Sequence, residues 1–299
     1  MSFLWVVTTL IAAASQTARN AMQSSLTAVI GTVGATQVRF LYGLPFAILF
    51  LGLVMLVSGE SAPPLNARAL AFTALGAVAQ IAATALMLAT MRMKSFSVAT
   101  AYIKMEPVLV AVAGFLILGD ALTPLKLLAI VIATGGVVMT SLKPGAGAAL
   151  LTELRPAALG IVSAAFFGLS AIFIRGAILA LPSGGAAIKA TTILVCSLAM
   201  QTAMLVAYLA TFDRPALTKS FTVWRQSLVA GFLGAFASQF WFLGFSLTTA
   251  ANVRTLALVE VILAQIVSRR FMSQKVAGRE LAGMALIVLG VAVLLWAQS

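Results

Sequence analysis

The sequence has no histidine and only one cysteine in 299 residues. Histidine and cysteine are the main ligands of zinc and of most transition metals, and they also supply many catalytic bases and nucleophiles. We therefore expect no metal site, no cofactor and no catalytic centre. Because Cys196 is alone, it cannot form an intramolecular disulfide. It lies in an apolar run and is expected to pack as a small hydrophobic residue.

Charged residues are scarce as well, at 9% of the chain against 62% hydrophobic residues. A soluble protein of this length carries about 25% charged residues. This composition predicts a single polytopic domain embedded in a lipid bilayer. The net charge of +12 does not indicate nucleic-acid binding. The basic residues are spread over short loops instead of forming one basic face, which is typical of cytoplasmic loops of membrane proteins.

Apolar runs of about the length needed to span a bilayer recur ten times along the chain. Glycines, prolines and charges separate them, and no basic region precedes the first run, so we interpret it as a spanning helix and not as a signal peptide. The sequence therefore predicts an all-α integral membrane protein with ten transmembrane helices. The runs are Phe3–Met22, Gly34–Val57, Ala69–Met91, Ser95–Leu118, Pro124–Leu142, Pro156–Ile174, Gly185–Phe212, Gln226–Leu247, Ala250–Phe271 and Val276–Trp296.

The chain also repeats itself. Residues 97–140 align without a gap with residues 251–294 at an offset of 154, which places Glu106 on Glu260 and Gly136 on Gly290. Earlier in each half, a glycine followed five residues later by a basic residue recurs, as Gly34 with Arg39 and as Gly184 with Lys189.

This pattern predicts two five-helix repeats, residues 1–145 and 146–299, in one transport domain. An odd number of crossings inverts the second repeat relative to the first. Inverted repeats around a central cavity are the architecture of many secondary transporters.

The stretch Tyr102–Pro107 lies in the middle of the run Ser95–Leu118. An ionisable side chain at this depth, here Lys104 or Glu106, costs about 2.5–3.5 kcal/mol or more. Pro107 removes the hydrogen bond to the carbonyl of Ile103 and predicts a helix break. Charges and a break at one depth are tolerated where they face protein or water. We interpret the stretch as the wall of a polar chamber.

The two repeat-related carboxylates, Glu106 and Glu260, are candidate substrate-binding residues. They could bind an amino group or cycle a proton, or a lysine or arginine could neutralise each of them to fix helix packing. Lys104 could bind a substrate carboxylate, or it could pair with one of these glutamates. These alternatives stay open at the level of the sequence.

Aromatic and amide side chains complete the candidate site. Tyr102 stands one helical turn before Glu106, and together with Trp241, Phe240 and Phe242 it could offer stacking surface to a flat ligand or only pack. Gln80 and Gln239 could bind a ligand, although hydrogen bonding between helices is the favoured interpretation.

Several other basic residues lie near the ends of the predicted spans. We expect their side chains to extend to the membrane interface. These residues are Arg39, Lys189, Arg175 and Arg254.

Two features at the end of the first half resemble the EamA-type signature of the drug/metabolite transporter superfamily. They are Glu106-Pro107, and then Leu118-Gly119-Asp120-Ala121-Leu122-Thr123-Pro124 before a helix with Gly135-Gly136. The family has a proline in its fourth helix, then Leu-Gly-Glu and a glycine-rich helix, so Asp120 replaces the glutamate. The second half departs further, with Val261 at the proline position and Ser273-Gln274 in place of Gly-Glu.

Within the superfamily the chain is most similar to bacterial amino-acid exporters, in particular the aromatic amino-acid branch. The resemblance implies a multi-pass carrier in the bacterial inner membrane that exports aromatic or other neutral amino acids by alternating access. A proton-coupled multidrug exporter is the alternative. A non-transporting scaffold, a membrane-embedded enzyme and a passive channel fit the residues less well. One chain can enclose the cavity, so a monomer suffices.

The orientation of the chain is open. In the predicted topology, 13 basic residues fall on the side opposite the N-terminus and 5 on the same side. The positive-inside rule then places both termini outside the cell. Members of the family more often keep both termini inside.

Overall fold

The computed structural model describes residues 3–93, 105–141, 154–261 and 278–297. Every regular element in these ranges is a helix, which confirms the all-α class. They include a single turn of 3-10 helix, Ala257–Val259. The elements are α1 Leu4–Leu41, α2 Leu44–Ser58, α3 Ala67–Met93, α4 Glu106–Leu118, α5 Pro124–Ser141, α6 Leu154–Ala180, α7 Ala186–Phe212, α8 Arg214–Thr222, α9 Trp224–Leu247, α10 Ala250–Leu256 and α11 Gly278–Trp296.

The first element, α1, reverses direction at Gly31. Gly31 has φ 73° and ψ 174°, a backbone conformation that is open essentially only to glycine. The side-chain amide of Gln23 donates a hydrogen bond of 3.0 Å to the carbonyl of Ala35. Residues 12 apart in a straight helix would be about 18 Å apart. Residues 4–30 and 32–41 are therefore two helices, and the first runs further than the predicted span Phe3–Met22.

Five helical segments are long and apolar enough to cross a membrane: Met22–Ser58, Ala67–Met93, Ala158–Ala180, Ala186–Phe212 and Trp224–Leu247. The first of these contains the reversal at Gly31. Shorter apolar helices are Glu106–Leu118, Pro124–Met139, Ala250–Val259 and Leu281–Trp296. These segments fall within or across the predicted runs and make the chain a multi-pass membrane protein.

Helices from the two halves of the chain pack against each other in pairs. The α1 helix packs on α9, α3 packs on α6, and α5 packs on α11. The short helix α4 contacts α6, α5 and α10, so it lies between the halves. The largest buried apolar cluster draws on both halves, including Phe40, Ile172, Leu194 and Phe245.

Two glycines allow the close crossing of α5 and α11. A Cβ atom on Gly136 would lie 2.6 Å from the carbonyl oxygen of Gly283, and one on Gly290 would lie 2.6 Å from the backbone nitrogen of Ala133. Such distances are far below van der Waals contact, so only glycine fits at these positions. The absence of a side chain at these two glycines is what permits the close approach of the helices.

The motif after α4 has a local structural explanation. Gly119 ends α4 with φ 70°, a left-handed conformation that glycine adopts without strain. The backbone N–H of Asp120 then donates to the carbonyl of Gly114. The turn places the Asp120 carboxylate 3.3 Å from the guanidinium of Arg175 on α6.

Candidate substrate site

A cavity lies where α1, α3, α4, α6, α9 and α10 meet. It holds about 530 Å³ of empty space, part of it open to solvent. Its lining mixes both signs of charge with amide and aromatic groups. The described residues that line it are Gln16, Arg19, Asn20, Met87, Met91, Glu106, Pro107, Phe167, Trp241, Arg254, Ala257, Leu258 and Glu260.

The central contact of the cavity is an ion pair between the halves. The Nε atom of Arg254 lies 3.0 Å from Oε1 of Glu106, and each residue is only 7% exposed. Glu106 is the first residue of α4, and Pro107 follows in the first turn, where a helix needs no N–H from it. The described helix thus begins at the predicted break, while Ile103 lies outside the described residues.

Arg254 also contacts two aromatic rings. Its guanidinium carbon lies 4.2 Å from the centre of the Trp241 ring and 5.4 Å from that of Phe245. The indole N–H of Trp241 donates to Oε1 of Gln16 at 3.0 Å. One face of the indole is therefore covered by a cation, which stabilises the buried charge.

Two further arginines are buried next to this contact. Arg19 is 1% exposed, and its Nε and Nη2 atoms point to the side-chain oxygen of Asn20 at 3.3 and 2.8 Å. Arg39 is 2% exposed and donates to the hydroxyls of Thr84 and Ser238.

These placements correct the sequence-based expectations. Arg39 and Arg254 do not extend to the membrane interface, because each meets polar or charged groups inside the protein. The expectation is wrong for Arg175 as well, because it donates to the carbonyls of Phe245 and Thr248 and pairs with Asp120. Lys189, the fourth basic residue that was expected to extend to the membrane interface, is half-buried.

Gln80 and Gln239 do not line the cavity in the part of the chain that the structure describes. The amide of Gln201 donates to the side-chain oxygen of Gln80 at 2.6 Å, and Gln239 donates to the hydroxyl of Thr191 at 2.8 Å. Both glutamines thus bond between helices, as favoured above, and a contact with substrate stays a prediction.

The remaining candidate residues from the sequence lie in different places. Glu260 lines the cavity together with Glu106, Pro107 and Trp241. Lys104 and Tyr102 lie outside the described residues. Phe240 packs on Phe236, and Phe242 packs on Phe245, so both belong to the aromatic packing along α9.

Sequence reasoning missed Gln16, Arg19 and Asn20 as parts of the site. A signal was present, because Arg19 falls inside the predicted span Phe3–Met22. A charge inside an apolar run of spanning length indicates a functional or paired residue by default.

Comparison with known proteins identifies the family. Residues 3–142 match the model of the EamA-like transporter family. The match covers the first half of the molecule, just under half of the 299 residues. The resemblance seen in the Leu118–Pro124 region is confirmed, and the family consists of membrane transporters of small molecules. Seven of the residues that line the cavity, including Arg19 and Glu106, lie within this matched segment.

No curated protein matches the chain. Among solved structures, a crystal structure described only as "Crystal structure of protein" superposes with a TM-score of 0.69. The superposition covers 97% of this chain and 94% of the other chain at 15% sequence identity. This similarity shows that the two chains share a fold over nearly their whole lengths.

Proposed function

We propose that this EamA-family transporter is a secondary carrier that exports small metabolites, namely aromatic or other neutral amino acids, from the bacterial cell by alternating access. It would work in the inner membrane as one transport domain. The observation that carries the proposal is the cavity between the two halves, in which Arg254 pairs with Glu106 beside Glu260, Arg19 and Trp241.

The charges of the cavity support a zwitterionic substrate. A free amino acid presents a carboxylate and an ammonium group a few ångströms apart, and it needs a partner for each when it leaves water. Arg19 and Arg254 offer positive charge, and Glu106 and Glu260 offer negative charge. A neutral sugar would need neither sign, and a cationic drug would meet the arginines unfavourably.

The helix packing supports an inverted repeat. If residues 4–30 correspond to α6, and α3 to α9, the contact of α1 with α9 is the repeat-related copy of the contact of α6 with α3. The contact of α4 with α6 corresponds in the same way to that of α10 with α1. Two-fold related contacts of this kind arise when two similar units face each other.

The crossing of α5 and α11 at Gly136 and Gly290 supports the same two-fold relation between the repeats, residue by residue. Gly136 faces Gly283 and Ile287, while Gly290 faces Ala129 and Ala133. Each pair of counterparts is separated by 154 positions, the offset of the sequence repeat. This supports the division into residues 1–145 and 146–299, with ten membrane-spanning helices in all.

An ion pair between the halves suits alternating access. A carrier must change the contact between its halves when the cavity opens to the other side of the membrane. A substrate with both charges could compete for Arg254 and Glu106 and so weaken the bond that joins the halves. Binding would then favour the conformational change, because the ligand interacts differently with the two states.

The test is radiolabelled counterflow in proteoliposomes with a panel of amino acids and one cationic dye. We expect saturable exchange of phenylalanine or another neutral amino acid, and its loss in Glu106→Gln. The control is Glu60→Gln, because Glu60 is an exposed carboxylate outside the cavity that binds the backbone N–H of Gly185. Dye movement that requires a pH gradient, without amino-acid exchange, would replace the proposal with a proton-coupled multidrug exporter.

A further inference from the structure

Arg19 is buried in the cavity wall with part of its hydrogen-bonding capacity unused. It is 1% exposed and belongs to the lining of the cavity. Both Nε and Nη2 share one acceptor, the side-chain oxygen of Asn20. Its Nη1 atom has no hydrogen-bond partner among the residues that the structure describes, and no carboxylate there forms an ion pair with Arg19.

A buried guanidinium without a counter-charge is costly, because its lost hydration is not replaced. The neighbouring arginines increase this cost. Arg254 has Glu106 as its partner. Among the described residues Arg39 donates to two hydroxyl groups and lies over the Phe40 ring, and its charge is repelled by those of Arg19 and Arg254. In the described part of the site, three arginines thus share two carboxylates, Glu106 and Glu260.

The sequence offers little to balance this charge. The chain contains seven acidic residues, and three of them are engaged away from the cavity. Glu60 binds the N–H of Gly185, Asp120 pairs with Arg175, and Asp213 caps α8. Residues 94–104 and 262–277, which flank the cavity-lining segments in sequence, contain no aspartate or glutamate.

The surroundings of Arg19 hold its side chain in place. A Cβ atom on Gly234 of α9 would lie 3.7 Å from Cδ of Arg19 and 2.9 Å from Cγ of Arg39, so the absence of a side chain there makes room for both arginine stems. Asn20 binds one edge of the guanidinium of Arg19. The position of Nη1 is therefore fixed before any ligand arrives, which reduces the entropic cost of binding.

We propose that Arg19 is the carboxylate-binding residue of the cavity and that the transported substrate must carry a carboxylate. An arginine recognises a carboxylate through short charge-assisted hydrogen bonds, and the ligand would supply the counter-charge that the described residues lack. The inference rests on the proposed function for the identity of the ligand as an amino acid. Beyond that function, we infer that the substrate needs a carboxylate and that Arg19 binds it.

The test is isothermal titration of the purified full-length protein with three probes of one shape: phenylalanine, 3-phenylpropionate, which has no amine, and phenethylamine, which has no carboxylate. We expect the two acids to bind at least about tenfold more tightly than the amine, since a charge-assisted hydrogen bond is worth about this factor. Arg19→Gln should weaken both acids by about tenfold or more and leave the amine unchanged. Arg92→Gln, at an exposed arginine of α3, should behave as the wild type.

Three results would overturn the assignment: amine binding as tight as acid binding, equal weakening of all three probes in a folded Arg19→Gln protein, or no binding of any probe to the wild type. If Arg19→Gln does not fold, Arg19→Lys serves instead, with a smaller loss that is still confined to the acids. Selective acid binding without counterflow would remove the transport proposal and keep the subsite. Counterflow of amino acids, together with titrations that show no preference for the two acids, would keep the transport proposal and remove the carboxylate subsite.

Discussion

Arg254 and Glu106 join the two halves of the molecule through a buried ion pair of 3.0 Å. Glu106 comes from the start of α4 in the first half, and Arg254 comes from α10 in the second. The contact therefore matters both for the stability of the fold and for the proposed change of conformation.

The first prediction concerns this pair. Glu106→Gln and Arg254→Gln should each lower the free energy of unfolding by about 3–5 kcal/mol, because each removes one member of a buried ion pair. The double variant should lose clearly less than the sum of the two losses, since it leaves neither charge behind. Denaturant unfolding in detergent micelles measures all three changes.

The matched control for this cycle is Glu60→Gln combined with Arg254→Gln. Glu60 is exposed and binds a backbone N–H far along the chain from Arg254, so these two changes should be additive. Additivity of Glu106→Gln with Arg254→Gln would show that the two side chains do not interact energetically.

The second prediction concerns the crossing of α5 and α11. Gly136→Ala and Gly290→Ala should each lower the free energy of unfolding by about 1–3 kcal/mol, because the new methyl group would overlap the backbone of the facing helix. Gly135→Ala is the control, since a Cβ there has no neighbour within 4 Å. It should be neutral or slightly stabilising, because alanine favours helix over glycine. Equal effects of Gly135→Ala and Gly136→Ala would contradict the described packing.

The third prediction concerns the reversal of α1. Gly31→Ala should destabilise the protein by about 1–3 kcal/mol, because a side chain is strained at φ 73° and ψ 174° even though the space around it is open. Gly52→Ala in the middle of α2, where a Cβ also meets nothing within 4 Å, should not destabilise. The apparent melting temperatures of the two variants provide the comparison. A Gly31→Ala protein as stable as the wild type would argue against a tight reversal at this residue.

The sequence predicts the helical class and most helix positions because apolar runs and their interruptions depend on local composition. Pro124, for example, begins both the predicted run and the observed helix α5. The predicted runs Phe3–Met22 and Gly34–Val57 place a connection at residues 23–33, and the reversal lies inside it, but its exact position at Gly31 was not predicted. Residues around it are uncharged and include no proline, so the local signals of a turn are weak, and one glycine in the right conformation is enough to reverse the chain.

The acidic part of the candidate site could also be predicted from local composition. Glu106 and Glu260 stand out as acids within apolar runs, and the repeat relates them. The buried arginines Arg39 and Arg254 lie nearer to the ends of their runs, where the sequence alone favours exposure at the membrane interface. Their burial depends on contacts with other helices, such as that of Arg39 with Thr84 and Ser238, which local sequence does not encode.

The crossing of α5 and α11 has a mechanical consequence. Because backbone meets backbone at Gly136 and Gly290, no rotamer change can lengthen or shorten the contact. The two helices can pivot about this point, but they cannot slide apart without losing it. Any change in the width of the cavity must then be taken up by the helices that line it. The crossing is thus the fixed reference from which the displacement of α1, α3, α4 and α9 can be measured.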